Sequence, residues 1–293
     1  MVEHGATETL RRKRGAAVNL DAVRDFKVLV IGDAILDRYV FVSPTGKSIK
    51  ETALSTSYQH DEQYHGGVWA AAEHLDQLCA TVHVWHGPNI MRSTRFVEGV
   101  YNRKLFTLHG VHAAEQLPPI DIGAYDVVIV TDFGYGTLDE ALIARLTKEA
   151  RFLAINAQTN SQNYGFNLVT RYRRADYVVL DELEARLATH MKSEPIEDVI
   201  LALGFKKIVV TMGANGACGF DGEFYREAAT LKGRVVDTMG AGDAFLAVSA
   251  VFAAAMFPMR HLVRLGNAAG AAKVGVLGHQ RAITRADLEA NLA

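Results

Sequence analysis

The chain has 293 residues, a net charge of −2, 49% hydrophobic residues and 22% charged ones, which is too apolar for a disordered protein. Its 31 basic and 33 acidic residues leave no surplus to hold nucleic acid or an anionic membrane, so any phosphate must be held by local geometry. Two cysteines, Cys79 and Cys218, cannot build a disulfide framework, and a reducing cytoplasm is the natural setting.

Residues 1–25 read as a flexible leader: Arg11, Arg12, Lys13 and Arg14 cluster there, and no apolar run follows of the kind a secretory signal needs. Phe26–Ile31 is a short, continuously apolar run ending at Gly32, the pattern of a strand buried on both faces. Tyr39–His65 mixes β-branched, aromatic and polar residues, which predicts two to four short antiparallel strands forming a lid or a dimerisation sheet. Further strands are expected over Thr81–Trp85, Asp126–Thr131, Phe152–Ile155, Tyr177–Leu180 and Lys207–Thr211. Helices are expected between them at Val68–Leu78, Leu138–Ala150, Glu182–His190 and Ile196–Leu203. From Gly242 the pattern is almost wholly helical: Ala244–Phe257, Met259–Val274 and Arg285–Leu292. Ala244–Phe257 is too short for a membrane span and reads as a buried helix. Strand and helix in alternation predict a mostly parallel sheet covered on both faces.

The chemistry-bearing residues cluster after strands and at helix starts. Asp237-Thr238-Met239-Gly240-Ala241-Gly242-Asp243 leads straight into an apolar helix, whose first N–H groups and positive dipole make an anion site. Asp243 would repel a phosphate there unless it accepts a proton from an attacking hydroxyl; a plain helix cap is the competing explanation. Asp33 and Asp37 follow the first strand, at the edge where open α/β sheets bind ligands, and could hold vicinal hydroxyls or merely cap a turn. Gly66 and Gly67 open the next helix and let a ligand approach the backbone. Asp181 and Glu184 are either favoured by the helix dipole alone or organise Mg²⁺ through water. Gly46-Lys47-Ser48 lacks the earlier glycine of a phosphate loop, and Gly240-Ala241-Gly242 lacks the third glycine of a dinucleotide fingerprint. No Cys/His set has zinc spacing.

In this order along residues 26–280, with Thr211-Met212-Gly213 and Gly216 before the Asp237–Asp243 run, the sequence resembles the ribokinase-like (PfkB) carbohydrate kinases. The resemblance implies an α/β three-layer sandwich, with a mostly parallel central sheet and a small inserted β lid over 39–65, as one kinase domain over residues 26–293. It also implies ATP and Mg²⁺ as cofactors, Asp243 as catalytic base, and Gly240, Ala241 and Gly242 around the anion hole. Asp33 and Asp37 would hold the sugar beside Gly66, Gly67 and Asp132, and Asp181 and Glu184 would support Mg²⁺. Thr211, Gly213, Gly216, Asn267 and Gly270 would border the nucleotide.

Gly32–Tyr39 and Val130–Gly136 look most like the kinase half of the heptose-phosphate kinase/adenylyltransferases. That likeness implies a phosphorylated sugar, for which Arg95, Arg103 and Lys104 could supply cations, although a solvated basic strand pair explains them equally well. Ala70 stands where the family usually has a sugar-contacting Asn, Tyr135 where that group has Lys, and Asp181 where Asn is usual. The alternatives are a ribokinase- or nucleoside-kinase-like enzyme on an unphosphorylated substrate, and a non-catalytic nucleotide-binding scaffold. No nucleotidyltransferase module fits these 293 residues, so such an activity would reside on a partner. A homodimer through the lid is expected because exposed strand edges are usually covered.

Overall fold

A computed structural model of the chain describes residues 18–115, 117–229 and 233–293; the basic cluster at Arg11–Arg14 lies outside the described residues. The packed domain begins earlier than residue 26. Leu20–Val23 forms a short 3₁₀ turn whose Leu20 and Val23 are buried in the core, so the leader expected over 1–25 does not extend to its C-terminal end.

The strands are β1 (Lys27–Lys47), β2 (Leu54–Gly67), β3 (Thr81–Glu98), β4 (Arg103–Ala113), β5 (Val127–Asp132), β6 (Leu153–Ala157), β7 (Tyr177–Asp181), β8 (Ile208–Thr211), β9 (Ala217–Phe220) and β10 (Phe224–Glu227). The helices are α1 (Val68–Glu73), α2 (Glu140–Glu149), α3 (Glu182–Thr189), α4 (Ile196–Leu203), α5 (Ala241–Ala254), α6 (Met259–Lys273) and α7 (Arg285–Leu292). Among the described residues the strands form one sheet in the order β10-β9-β8-β7-β6-β5-β1-β3-β4, with β2 on β1. From β8 across to β3 the pairing is parallel, and β9 and β10 add an antiparallel edge hairpin that the sequence pattern did not reveal.

Alternation along the strands divides the core into two layers. Val28, Val30, Val127, Ile129 and Val179 pack against α1, α5, α6 and α7. Leu29, Ile31, Val128, Val130 and Leu180 face the other way, against α2, α3 and α4. Helix α5 is the central element of the first layer: Ala244–Ala253 are buried throughout, because its small and apolar residues let it pack closely with sheet and helices on several sides.

The lid differs from its expected form. β1 does not stop at the sheet edge but runs on to Lys47 and pairs with β2 as one long hairpin. β3 does the same, pairing with β1 up to Glu98 and with β4 on its far side, so the appendage extends through residue 113 as well as 39–65. Pairing between β1 and β3 is irregular between Gly32 and Ala34, opposite Pro88, which has no N–H for the ladder. This break separates the buried sheet from the lid and falls beside Asp33.

Candidate active site

Helix α5 begins at a turn that only glycine fits. Gly240 has φ +75°, and a Cβ there would lie 2.7 Å from His279 Cε1. The turn is held from below by Asp237, whose carboxylate accepts from the N–H of Met239 (3.2 Å) and of Gly278 (3.2 Å). The backbone N–H groups of Gly240, Gly242 and Asp243 have no acceptor among the described residues, as expected of a helix start without a side-chain cap.

Asp243 stands in that first turn and is 6% exposed. Its side-chain partner is Gln158, whose Nε2 donates to Oδ1 at 2.7 Å. Burial pushes its carboxyl up to about 6, against the opposing effects of the Gln158 hydrogen bond and the Lys273 charge. The carboxylate thus has one neutral hydrogen-bond partner and is held above the usual carboxylate range.

A cleft of about 640 Å³ opens from this turn across the C-terminal ends of β6, β7 and β8. It is bordered by Gly240–Asp243, Asp181, Glu184, Thr211, Gly213, Gly216, Asn267 and Gly270, so the residues expected around nucleotide and cation converge on one cavity. Asp181 and Glu184 close a reciprocal capping box on α3: Glu184 N–H donates to Asp181 Oδ1 (2.7 Å) and Asp181 N–H to Glu184 Oε2 (2.8 Å). Glu184 also accepts from Thr159 N–H (3.1 Å) and from Asn156 Nδ2 (3.3 Å). Burial, aided by the neighbouring Asp181 carboxylate, raises Glu184 above the usual carboxylate range. No cluster of three or more His, Cys, Asp or Glu residues suited to a metal occurs among the described residues. The set nevertheless fits a hydrated Mg²⁺ arriving with phosphates: Asn156 Oδ1 is buried without a partner at the cleft wall, and Mg²⁺ is usually held by one or two carboxylates and retained waters.

The second group of residues lies under the lid and meets the expectations less evenly. Asp37 is 2% exposed, forms a close ion pair with Arg95, and lies 3.6 Å from His279 Nε2. Gly66 packs on the Asp37 carboxylate and Gly67 on the Asp33 carbonyl, where a Cβ would sit only 2.3 Å away, so the glycine pair serves close backbone packing. Asp33, expected to hold the sugar, is enclosed by backbone donors instead of facing a cavity. It is 1% exposed, and its carboxylate accepts from the N–H of Phe133 (2.9 Å), Tyr135 (3.1 Å) and Thr137 (3.2 Å), which makes it a brace for the loop after β5. Asp132 is likewise enclosed: Tyr172 Oη donates to it at 2.7 Å, Gly134 N–H and Asn167 Nδ2 at 3.0 Å, and Arg171 lies 3.4 Å away. Lys104 reaches from the lid to within 3.8 Å of Asp237, while the exposed side chain of Arg103 has no hydrogen-bond or ion-pair partner among the described residues.

Four residues of this centre, Asn156, Gln158, Lys273 and His279, were not singled out as site residues from sequence. Gln158 comes directly after a buried apolar strand, one residue beyond the place that Asp132 and Asp181 hold in theirs, and a polar side chain there is a signal that could have found it. Lys273 and His279 come from the last helical turn of α6 and the loop after it, and only the fold brings them to Gly240.

Residues 100–285 match the model of the pfkB family carbohydrate kinases. The chain belongs to that family. Its kinase core is 25% identical over 304 residues to the D-beta-D-heptose 7-phosphate kinase of Bordetella bronchiseptica, covering 89% of this chain and 95% of that one. The Bifunctional protein HldE of Hyphomonas neptunium is 30% identical over 160 residues, 52% of this chain; the match spans only 32% of that longer protein. In fold, the kinase is similar to Thermotoga maritima ribokinase, with a TM-score of 0.68 at 19% identity over 91% of this chain and 99% of that one. The sugar-kinase class and the ribokinase-like three-layer architecture are thereby established.

Proposed function

We propose that this kinase transfers the γ-phosphate of ATP to a hydroxyl of a phosphorylated sugar, a heptose phosphate or a close relative, with Asp243 as general base. The observation that carries the reading is the pairing of Asp243, held by one neutral donor, with the unpartnered N–H groups of Gly240, Gly242 and Asp243 at the mouth of the 640 Å³ cleft. An acceptor hydroxyl gives its proton to Asp243 while its oxygen bonds to the γ-phosphorus; the bond to the β–γ bridging oxygen breaks and ADP leaves. The N–H groups face the charge that develops on the transferring group, where preorganised donors act most strongly. Asp181 and Asn156, with Glu184 holding them, would keep a hydrated Mg²⁺ beside the phosphates, and that ion would neutralise their charge.

The acceptor would lie between the lid and the β5–β6 ends, within reach of Asp37. Support for a phosphate on it comes from Arg103 and Lys104, exposed at the lid edge with Lys104 beside Asp237, and from the near full-length likeness to a heptose 7-phosphate kinase. A free-sugar or nucleoside acceptor is the second reading, favoured by the partner that Lys104 already has in Asp237. A scaffold without catalysis has less support, since Asp243 is buried beside open amides at a helix start that it does not cap. A nucleotidyltransferase acting on the product, encoded apart from this domain, is the enzymatic partner the first reading implies.

We further propose that the lid pairs with a second copy, because Leu54, Tyr58, Phe106 and Leu108 on its strands are each more than half exposed. ATP consumption measured across phosphorylated and free hexoses, heptoses and nucleosides tests the assignment. Turnover confined to phosphorylated sugars supports it, turnover only with free sugars or nucleosides moves it to the second reading, and no turnover with any acceptor favours a scaffold.

A further inference from the structure

Lys273 is the last residue of α6 and is 0% exposed. Burying an ammonium is costly unless it is paired, yet among the described residues no carboxylate comes within 4.0 Å of its Nζ. Its partners are instead two backbone carbonyls, those of Met239 (3.2 Å) and of Gly278 in close contact. These belong to the two loops that meet at the anion turn. Met239 immediately precedes Gly240, and Gly278 precedes His279, whose ring fills the space over Gly240 Cα.

The geometry points to Lys273 as a built-in cation that sets the anion hole: it fixes the 239–240 peptide and supplies positive charge behind the transferring phosphoryl group. In a trans peptide, the carbonyl and the following N–H point in opposite directions. With the Met239 carbonyl drawn to the ammonium, the Gly240 N–H is turned the other way, and Gly240 borders the nucleotide cleft. The left-handed conformation of Gly240 is what lets the chain make this peptide and then start α5 at Ala241. A carbonyl-bound ammonium at this place performs two tasks at once. It holds the donor array rigid, and it adds a full charge where helix dipole and amides supply only partial ones. Asp237 completes the frame by accepting from Met239 N–H and Gly278 N–H, so both loops are tied twice. The Lys273 charge also opposes the rise of Asp243, while Asp37, the other charged group facing it, promotes that rise.

The proposal rests on the reading of Gly240–Asp243 as an anion hole, and its test needs no knowledge of the sugar. Calorimetry of Mg-ADP binding with and without aluminium fluoride, a mimic of the transferring phosphoryl group, separates nucleotide affinity from anion-hole affinity. In the wild type, aluminium fluoride should tighten ADP binding by about a hundredfold or more, as transition-state mimics do. In Lys273→Met that gain should fall by about tenfold or more while affinity for ADP alone stays within about twofold. Lys273→Gln keeps a donor for the carbonyls and removes the charge; it carries the test if the Met variant does not fold, and it should lose the gain as well. A gain in the Gln variant equal to that of the wild type overturns the charge, and an undiminished gain in a folded Met variant overturns the whole proposal. Absence of any gain in the wild type would instead overturn the anion-hole reading itself.

Discussion

Two groups of buried aspartates at one sheet edge differ in how completely donors surround them. Asp33 and Asp132, on the lid side, are each surrounded by donors: three amides for Asp33, and a tyrosine, an amide, an Asn and an Arg for Asp132. Asp243, at the cleft, has a single neutral side-chain donor in Gln158. All three are less than 10% exposed, so burial does not tell them apart. What differs is how many of a carboxylate's four acceptor sites are taken, and only the open one is free to receive a proton from substrate. The largest break in this comparison is Asp243→Asn. Phosphoryl transfer should fall by about 10²–10⁴-fold while ATP affinity, read by calorimetry, is retained. A drop of less than tenfold would show that Asp243 is not the base.

The same contrast predicts a pH signature. Asp243 must be ionised to act, so kcat/KM should fall by about tenfold per unit as pH drops below about 6. Gln158→Leu removes a hydrogen bond to the ionised form and should move that limb to higher pH, and a limb that stays in place detaches it from Asp243. Stability runs the other way. The folded-state value of about 6 lies above the ordinary 3.8, so folding favours the protonated carboxyl and stability is lost as pH rises from 3.8 through 6. Asp243→Asn should therefore raise the urea midpoint over wild type at pH 8, by an amount corresponding to at most about 3 kcal/mol, and leave it unchanged near pH 3.

Asp33→Asn should reverse that balance. One oxygen of the amide cannot satisfy all three N–H groups, so stability should fall by about 1–3 kcal/mol in urea unfolding at constant slope. The turnover number should stay within about threefold, because the residue acts through a loop rather than on the reacting atoms. A variant that keeps full stability but loses turnover would return Asp33 to the sugar.

This division was only partly legible in the sequence. The parallel strands and most helices stand out because their apolar runs have lengths and periods that only one element fits, and Ile196–Leu203 is found with the bounds expected. The Asp237–Asp243 turn was legible because glycine, helix start and carboxylate occur within one short segment. The bracing contacts of Asp33 were not legible because its partners are amides a hundred residues away, and backbone donors leave no trace in residue types. Lys273 was hidden for a related reason. Its acceptors are carbonyls, which every residue has, so a lysine ending an amphipathic helix looks like any solvated cation. The second half of the lid was missed because β3 crosses from buried sheet to lid at Pro88 without a break in the strand.

The smallest expected effect concerns the exposed end of the lid. Lys104 Nζ lies 3.8 Å from Asp237 and its side chain is 44% exposed, so this ion pair contributes about 0–1 kcal/mol and yields readily to another anion. If the acceptor carries a phosphate, Lys104→Ala and Arg103→Ala should each raise KM for it by about three- to tenfold and leave kcat unchanged, the mark of uniform binding. The effect should shrink as salt is raised from 0.05 to about 0.5 M, because charges this exposed are screened over a few ångströms. KM for an unphosphorylated sugar of the same stereochemistry should not move in either variant. Equal changes for both acceptors would mean that the two cations shape the lid rather than read the phosphate. The acceptor would then be recognised by Asp37 and the groups around it alone.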